Sequence, residues 1–178
     1  MRSILFITII LGAVLAGCAG AGSGSATGGA GSYSAARARV DSSMLAAINH
    51  ARSRGRKCGS VFHAAAAPVA WNSKLGIAAL KHSRDMASQS FLSHTGSDDS
   101  SSDGRLTREG YAWRTCGENI AVGQPSTAAV VQSWLSSEGH CRNIMSPEFH
   151  EIGAAYAIGP YQGMPAAKYW TLVLGTAR

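Results

Sequence analysis

The chain has 178 residues, of which 46% are hydrophobic and 15% charged, and it carries a formal net charge of +6. Its composition shifts once, near residue 33, and no internal repeat is present. These properties exclude a repeat protein and a chain of several domains. They leave residues 34–178 as one domain, long enough for a single substantial core.

The first residues are typical of an export signal. A positively charged start, Met1-Arg2, precedes an apolar run from Ile4 to Leu15, which is shorter than the roughly 20 residues that a permanent membrane-spanning helix needs. Leu15-Ala16-Gly17-Cys18 then resembles the lipobox of bacterial lipoproteins, in which cleavage leaves a lipidated cysteine at the mature N-terminus. An ordinary signal peptide with a chance cysteine is the alternative.

The lipobox resemblance implies a signal peptide at residues 1–17 and a membrane anchor at Cys18. A diacylglyceryl thioether and an amide-linked chain together hold a protein firmly to a bilayer. We therefore expect an exported protein on the bacterial cell envelope, and Ala19 is compatible with the outer membrane if the organism has one. Residues 19–33 are mostly glycine, serine and alanine, so residues 18–33 are predicted to be a flexible tether.

Much of the positive charge lies in one cluster of six side chains. Such a cluster can bind nucleic acid or an anionic polymer of the envelope, although a solvated helix face is the usual meaning of such a run. Because an exported protein rarely meets nucleic acid, we do not predict nucleic acid as a partner. We also expect the protein to be a monomer. The six residues are Arg37, Arg39, Arg52, Arg54, Arg56 and Lys57.

Hydrophobic periodicity predicts two long helices in the first half of the domain. Apolar residues at helical spacing indicate an amphipathic helix from Ala36 to about Ser53. Residues 56–70 are predicted to be a loop. A second helix is predicted from Lys74 to about Ser90, and Asn72 or Ser73 is expected to cap it.

The elements that follow are shorter. Asp103 is predicted to cap a helix from Arg105 to Glu109, and the segment from Glu118 to Val122 is predicted to be extended. Ser126 or Thr127 is expected to cap a third helix, which ends near Ser137.

Two runs near the C-terminus predict a β-hairpin. Ile152–Ile158 alternates in polarity, and Tyr169–Leu174 is β-branched, aromatic and apolar, with Gly159-Pro160 and Gly163 between them. Helices followed by an antiparallel hairpin predict an α+β domain, with helices packed on a small, mainly antiparallel sheet. His82 lies on the apolar face of the second helix, where a histidine is more often a hydrogen-bonded core residue than a ligand.

The cysteine count predicts one disulfide. With Cys18 assigned to the anchor, Cys58, Cys116 and Cys141 remain, and an oxidising compartment favours one disulfide and one free thiol. Cys58 and Cys141 are favoured as the pair because both flank turn-forming or glycine-rich sequence, whereas Cys116 leads directly into a Gly-Glu-Asn motif. The spacing alone leaves the other pairings open.

Three polar stretches border apolar runs, which is typical of a site at the rim of a core. Singly, each has a plain structural explanation: a surface histidine, a carboxylate that binds backbone amides, or a histidine at the end of a helix. We expect the three to converge on one cleft. They are Ser93-His94-Thr95-Gly96, Cys116-Gly117-Glu118-Asn119-Ile120 and Ser137-Glu138-Gly139-His140-Cys141-Arg142-Asn143.

In this order and at these spacings, the motifs strongly resemble the CAP superfamily, which comprises the cysteine-rich secretory, antigen-five and pathogenesis-related proteins, also called SCP domains. The resemblance covers about Leu45 to Gly175 and is greatest to the bacterial lipoprotein branch, which shares Gly-His-Cys-x-Asn-Ile-Met and the upstream Cys58-Gly59. It also supports the Cys58–Cys141 pair. The matching residues are His94, Gly110-Tyr111, Gly117 to Ala121, Trp134, Ser137, Gly139-His140, Asn143-Ile144, Glu151-Ile152-Gly153 and Tyr169-Trp170-Thr171.

The resemblance implies a three-layer α-β-α sandwich with a cleft lined by two histidines and two acidic residues. His94 and His140 match the histidines, and Glu118 matches the glutamate of the Gly-Glu-Asn motif. The other acidic residue commonly lies three positions after the helix tryptophan, where this chain has Ser137. The neighbouring Glu138 could swing in, but one step along a helix end turns a side chain by about 100°, so the fourth member stays open between the two.

Two functions are compatible with such a cleft. Relatives are known as secreted effectors and lipid binders without one shared reaction, so the first prediction is an envelope binding module for a lipid, sterol-like, glycan or protein ligand. The alternative is a weakly metal-dependent hydrolase or protease, in which His94 and His140 bind zinc and a catalytic Glu118 orients or deprotonates a water. Only two histidines are offered, which predicts weak, exchangeable metal. A third possibility is that the polar set only ties loops together.

Overall fold

The computed structural model describes the backbone from Gly29 to Arg178 and the side chains from Val40 onward. The predicted signal peptide, the lipidation site Cys18 and the tether up to residue 28 lie outside the described residues. No helix within the described range is long and apolar enough to cross a membrane.

Five helices and six strands make up the described chain. The helices are α1 (Gly29–Arg52), α2 (Ser73–Gln89), α3 (Ser102–Arg108), α4 (Thr127–Leu135) and α5 (Glu138–Met145). The strands are β1 (Arg56–Cys58), β2 (Val61–His63), β3 (Ala70–Trp71), β4 (Trp113–Val122), β5 (Glu151–Tyr161) and β6 (Met164–Ala177).

A four-stranded sheet in the order β3-β5-β6-β4 forms the centre of the domain. β5 and β6 form the predicted antiparallel hairpin, β4 pairs antiparallel with β6, and the two-residue β3 runs parallel to β5. The sheet is therefore mainly antiparallel, and β4 lies at its edge. The α+β class predicted from the sequence is confirmed.

Helices cover both faces of this sheet, as the three-layer sandwich requires. Alternate residues of β6 point in opposite directions because side chains alternate along a strand: Trp170 and Leu172 join a core with α1, α4 and α5, whereas Val173 joins one with α2 and α3. The buried core residues run from Met44 to Leu174. Residues 29–178 thus contain every buried core residue of the described chain.

The helix caps agree with the sequence in two places and differ in one. Asn72 accepts the Lys74 amide at 2.9 Å, and Ser126 accepts the Ala129 amide at 3.2 Å. The prediction that Asp103 caps the short helix is wrong, because Ser101 takes that position. Its hydroxyl oxygen accepts the Gly104 amide at 3.3 Å, and Asp103 falls in the first turn.

The predicted loop at 56–70 is partly a β-hairpin. β1 and β2 form a separate two-stranded sheet, joined by a turn at Gly59, whose φ is 61°. Strands of three residues are too short to show an alternating pattern in the sequence. The first helix, α1, begins at Gly29, whereas the sequence predicted a start at Ala36. Its first residues therefore lie within the predicted tether.

Two features hold α5 and the hairpin in place. Cys58 of β1 and Cys141 of α5 form a disulfide, as predicted, and Cys116 is left as a free thiol. Arg52, at the end of α1, is fully buried and donates to the carbonyls of Ala67 and Ile144, both at 2.8 Å, and to two further carbonyls after α5. Its guanidinium therefore ties α1 to the segments that flank the sheet.

Candidate functional site

The site is built around Glu118, in the middle of the edge strand β4. Strand alternation directs Glu118 towards the layer of α2 and α3, and it directs the neighbouring Asn119 towards α5. The Glu118 side chain is only 3% exposed. A buried carboxylate requires partners for its charge, and two of them surround it.

The first partner is His94, in the loop between α2 and α3. Its Nδ1 lies 2.9 Å from Oε1 of Glu118, although 57% of the histidine side chain is exposed. An ionised carboxylate can only accept hydrogen bonds, so Nδ1 carries the proton and donates it. The other ring nitrogen, Nε2, is left for a ligand.

The second partner is Arg105 of α3, which the sequence analysis did not single out. Its Nη2 donates to Oε2 of Glu118 at 2.7 Å and to the His94 carbonyl at 3.0 Å, and its Nη1 donates to the Ser100 carbonyl at 2.8 Å. Arg105 is itself buried. A single guanidinium thus neutralises Glu118 and holds the loop that carries His94.

These contacts keep Glu118 ionised. Burial by itself raises the pKa of the carboxyl, but the hydrogen bond from His94 and the charge of Arg105 outweigh burial and hold the pKa below its ordinary value. Both carboxylate oxygens are engaged. The group is therefore a fixed negative charge, and its burial leaves it little access to water.

His82 of α2 forms a hydrogen bond to the same loop. It is buried, and its Nε2 donates to the Ser93 carbonyl at 2.9 Å, while Oε1 of Glu118 is 3.8 Å away, too far for a hydrogen bond. Burial is the main cause that lowers the pKa of His82. The structure thus confirms that His82 is a hydrogen-bonded core residue.

His140 reaches the site from the opposite layer. It is half-buried in the first turn of α5, and Asn119 donates to its carbonyl at 3.0 Å. Burial and then the charge of His94 lower the pKa of His140. Asn143 completes the link, because it donates to the Asn119 side chain at 2.8 Å.

Comparison with known proteins agrees with this arrangement. A family model described as the cysteine-rich secretory protein family, CAP, matches residues 45–174, well over half of the chain. The chain belongs to the CAP family. The match includes all three predicted site residues, His94, Glu118 and His140.

Individual CAP relatives cover only parts of this chain. The uncharacterized protein YkwD of Bacillus subtilis (strain 168) is 35% identical over 89 residues, which is 50% of this chain and 35% of the relative. The uncharacterized membrane protein YlbC of the same organism is 30% identical over 87 residues, 49% of this chain and 25% of the relative. The chain thus spans about a third or less of the length of these curated relatives.

Two solved structures share the fold. That of an extracellular SCP-domain protein from Bacillus anthracis (strain Ames) superposes with a TM-score of 0.53 and 29% identity, over 62% of this chain and 34% of that one. An outer surface protein from Borrelia burgdorferi gives a TM-score of 0.54 at 15% identity, over 62% of this chain and 78% of that one. The second likeness concerns the fold alone.

We call His94, Glu118 and His140 the CAP site. The two candidates for its fourth member lie at the start of α5. Ser137 is its half-buried N-cap residue, without a side-chain capping bond, and Glu138 is exposed in the first turn and packs against Gly59 of the β1–β2 hairpin. Among the described residues, no hydrogen bond joins either to His94, Glu118 or His140. Arg105 is the additional charged residue that contacts this CAP site.

The CAP site offers two imidazoles to a metal ion. Nδ1 of His94 donates its proton to the Glu118 carboxylate, so Nε2 carries the lone pair that a metal ion would bind. Metal-binding histidines usually donate their other ring N–H to a carboxylate in this way. Within the described chain, however, no group of three or more histidine, cysteine, aspartate or glutamate side chains is placed to hold a metal. Glu118 therefore orients His94 and leaves its Nε2 as a candidate ligand atom.

A pocket of about 400 Å³ adjoins the CAP site between α2 and α3, and His82 and Arg105 are part of its lining. Four of the other charged side chains in its wall form two ion pairs, and Asp85 accepts hydrogen bonds from the amide and hydroxyl of Ser97. Lys81 contacts Glu109 at 2.6 Å, and Arg108 contacts Asp98 at 2.5 Å. The pocket has a polar lining in which few charges remain available to a ligand.

Proposed function

We propose that this CAP domain is an exported binding module of the cell envelope, and that the surface around His94 and His140 takes a lipid, sterol-like, glycan or protein ligand. The family supports a site at these residues. The Bacillus anthracis SCP-domain protein, described as extracellular, supports an exposed location.

One observation carries the proposal. Both oxygens of Glu118 are engaged, by His94 and by Arg105. A general base must lie within hydrogen-bond reach of the proton that it removes, whereas the Glu118 side chain is only 3% exposed. Glu118 instead serves as the buried counter-charge that fixes His94, whose exposed ring then presents Nε2 to a ligand.

The alternative is a weakly metal-dependent hydrolase that uses His94, His140 and Glu118. The orientation of His94 favours some metal affinity, and a bound divalent ion such as zinc would supply a Lewis acid that polarises an oxygen of a ligand. Catalytic zinc generally has three protein ligands. This chain offers two imidazoles, and its Glu118 carboxylate is already bound to His94 and Arg105. A binding role is therefore better supported than hydrolysis.

Membrane attachment through a lipidated Cys18 remains part of the proposal. It rests on the lipobox resemblance at residues 15–18. Labelling of the expressed chain with a fatty-acid analogue tests it directly. Label that is retained in a Cys18→Ala variant contradicts it.

The function itself is tested on residues 29–178 by co-sedimentation with isolated envelope fractions and by zinc calorimetry with a peptide-hydrolysis assay. We expect the envelope material to bind the protein, and we expect the His94→Ala, His140→Ala double variant to bind it at least about tenfold more weakly. Zinc is expected to bind weakly and to produce no hydrolysis. Zinc-dependent hydrolysis that disappears in a folded Glu118→Gln variant would overturn the proposal in favour of the enzyme.

A further inference from the structure

The loop that carries His94 is closed on itself by hydrogen bonds. We call residues 93–100 the His94 loop. The Gly96 amide donates to the Ser100 carbonyl at 2.9 Å, and the Asp99 amide donates to the Gly96 carbonyl at 3.0 Å. The second half of the loop is therefore a compact turn, and His94 lies two positions before it.

A cavity adjoins this turn. The pocket of about 400 Å³ between α2 and α3 is lined by Ser97 and Ser100 of the His94 loop and by Asp85 of α2. A segment that packs on a core is fixed by many van der Waals contacts, whereas a segment beside a cavity has fewer of them. The position of the His94 loop therefore depends on the hydrogen bonds that join it to the two helices.

Asp85 provides the link to α2. Its Oδ2 accepts the Ser97 amide at 2.8 Å, and its Oδ1 accepts the Ser97 hydroxyl at 2.5 Å. Within the described chain, the ion pairs involve other carboxylates, so both oxygens of Asp85 serve the loop. The Arg108–Asp98 pair also reaches the loop, but both side chains are more than half exposed, and such pairs contribute little.

Asp85 differs from the other residues that hold the His94 loop. Two buried side chains, Arg105 and His82, donate to carbonyls at the two ends of the loop. Both also lie close to the Glu118 carboxylate, so a substitution of either would alter the CAP site directly. Asp85 holds the middle of the loop, and none of the hydrogen bonds in the described chain joins it to a CAP-site residue.

The His94 side chain depends on where its loop lies. Within the described chain, the ring makes one hydrogen bond, to Glu118, and the side chain is 57% exposed. If the loop moves, the ring exchanges this bond for water, and a free neutral imidazole prefers to carry its proton on Nε2. The bond to Glu118 is therefore what keeps the proton on Nδ1 and the lone pair on Nε2.

We propose that Asp85 is a positioning residue of the CAP site. By holding Ser97, it places the His94 loop so that Nδ1 of His94 meets the Glu118 carboxylate and Nε2 is left with its lone pair for a ligand. The consequence for ligand binding rests on the proposed function of the site. The effect on the His94 tautomer does not.

The test measures the His94 tautomer by nitrogen NMR on the full chain in detergent, with labelled histidines. At about pH 8 histidine side chains are ordinarily neutral, and His94→Ala assigns the signal. In Asp85→Ala the ratio of the Nδ1–H form to the Nε2–H form should fall by about tenfold, as when one charge-assisted hydrogen bond is lost. Alanine is a better helix former than aspartate, so α2 is expected to stay folded.

Two further variants separate positioning from a loss of charge. In Asp85→Asn the side-chain oxygen can still accept the Ser97 amide and the NH₂ group can donate to the Ser97 hydroxyl, so the ratio should stay within about threefold of wild type. Glu109→Gln is the matched control. It removes a carboxylate from the same pocket wall that binds Lys81 rather than the loop, and it should leave the ratio unchanged.

Ser97→Ala approaches the same link from the exposed loop and leaves α2 untouched. It removes one of the two bonds to Asp85 and should lower the ratio about threefold. The proposal is overturned by a wild-type ratio in both Asp85→Ala and Ser97→Ala. Equal falls in Asp85→Ala and Asp85→Asn, or a similar fall in Glu109→Gln, would also overturn it, because charge alone would then explain the change.

Co-sedimentation of the same proteins with envelope fractions distinguishes this proposal from the proposed function. Asp85→Ala is expected to bind envelope material more weakly, as far as its His94 tautomer has shifted. A shifted tautomer with unchanged envelope binding would support the positioning role of Asp85 and overturn the proposed role of His94 in binding.

Discussion

Arg105 determines what the Glu118 carboxylate is able to do. The two groups lie 13 positions apart in the chain and meet at 2.7 Å in a buried setting. Each would be costly to bury alone, and together they create a fixed ion pair beneath His94. The chemistry of the CAP site therefore depends on a residue outside the three polar stretches.

This pairing predicts a stability effect for Glu118→Gln. The substitution keeps the shape of the side chain but leaves the Arg105 charge buried without its counter-charge, so the free energy of unfolding should fall by about 3 kcal/mol. Urea denaturation measures the change. The exposed Glu148→Gln serves as the control, and wild-type stability in Glu118→Gln would contradict the assignment.

A second variant distinguishes the ion pair from a general packing effect. Arg105→Met combined with Glu118→Gln should cost less than the sum of the two single substitutions, because neither charge is then left alone. Strictly additive losses would show that the two groups do not interact.

His82 predicts a dependence of stability on pH. Burial lowers its pKa in the folded state, so below about pH 6.5 the unfolded chain binds a proton that the folded chain resists. Stability should fall as the pH decreases from 7 to 5, by at most about 1.4 kcal/mol per pH unit for this one proton. His140, whose pKa is also lowered, adds to the loss in the same direction.

The slope is measured by denaturation at several pH values in His82→Gln. Glutamine can still donate to the Ser93 carbonyl but does not titrate, so the slope should become shallower. His50→Gln, at an exposed histidine of α1, should keep the wild-type slope. Equal slopes in the two variants would contradict the role of His82.

Among the elements, α2 and β5 pack unusually closely. A Cβ atom on Gly153 would overlap the backbone of Leu75 and Gly76 in α2. The short distance between helix and strand sets the height of α2 above the sheet. It also sets the position of His82, further along that helix.

Gly153→Ala should therefore lower the free energy of unfolding by more than about 2 kcal/mol, since backbone has to move to make room. Gly139→Ala is the matched control. No atom lies within 4 Å of its added Cβ, and it sits in helix α5, where alanine is favoured by about 0.5–1 kcal/mol. Thermal unfolding of both variants measures the difference in stability between them. A Gly153→Ala protein as stable as the wild type would contradict the prediction.

At the level of the whole molecule, the Cys58–Cys141 disulfide joins segments 83 positions apart. It links the β1–β2 hairpin to α5, the helix that carries His140. Closing a loop of this length stabilises a fold by about 4 kcal/mol in the chain-entropy description.

Replacing both cysteines by serine should accordingly remove about 4 kcal/mol of stability. Cys116→Ser, at the half-buried free thiol, provides the comparison and is expected to change stability far less. Denaturation under non-oxidising conditions measures both variants. A double variant as stable as Cys116→Ser would show that the bond contributes little.

Much of the architecture was predictable because it is encoded locally. Asn72 and Ser126 cap the helices as their side chains suggest, and the turn residues between β5 and β6 mark a hairpin. The order of the motifs containing His94, Glu118 and His140 identified the family. Periodicity, capping and turn chemistry act over a few residues, so the amino-acid order is sufficient to specify them.

The state of the site was decided by tertiary packing. Nothing near Arg105 in the sequence distinguishes a buried arginine from a solvated one on the seven-residue helix α3. Ser101 was overlooked as its cap, and the strands β1 and β2 were too short to recognise. Desolvation and ion pairing arise between residues that are distant in the chain, and therefore only the assembled layers determine that Glu118 is a buried counter-charge for His94 and Arg105.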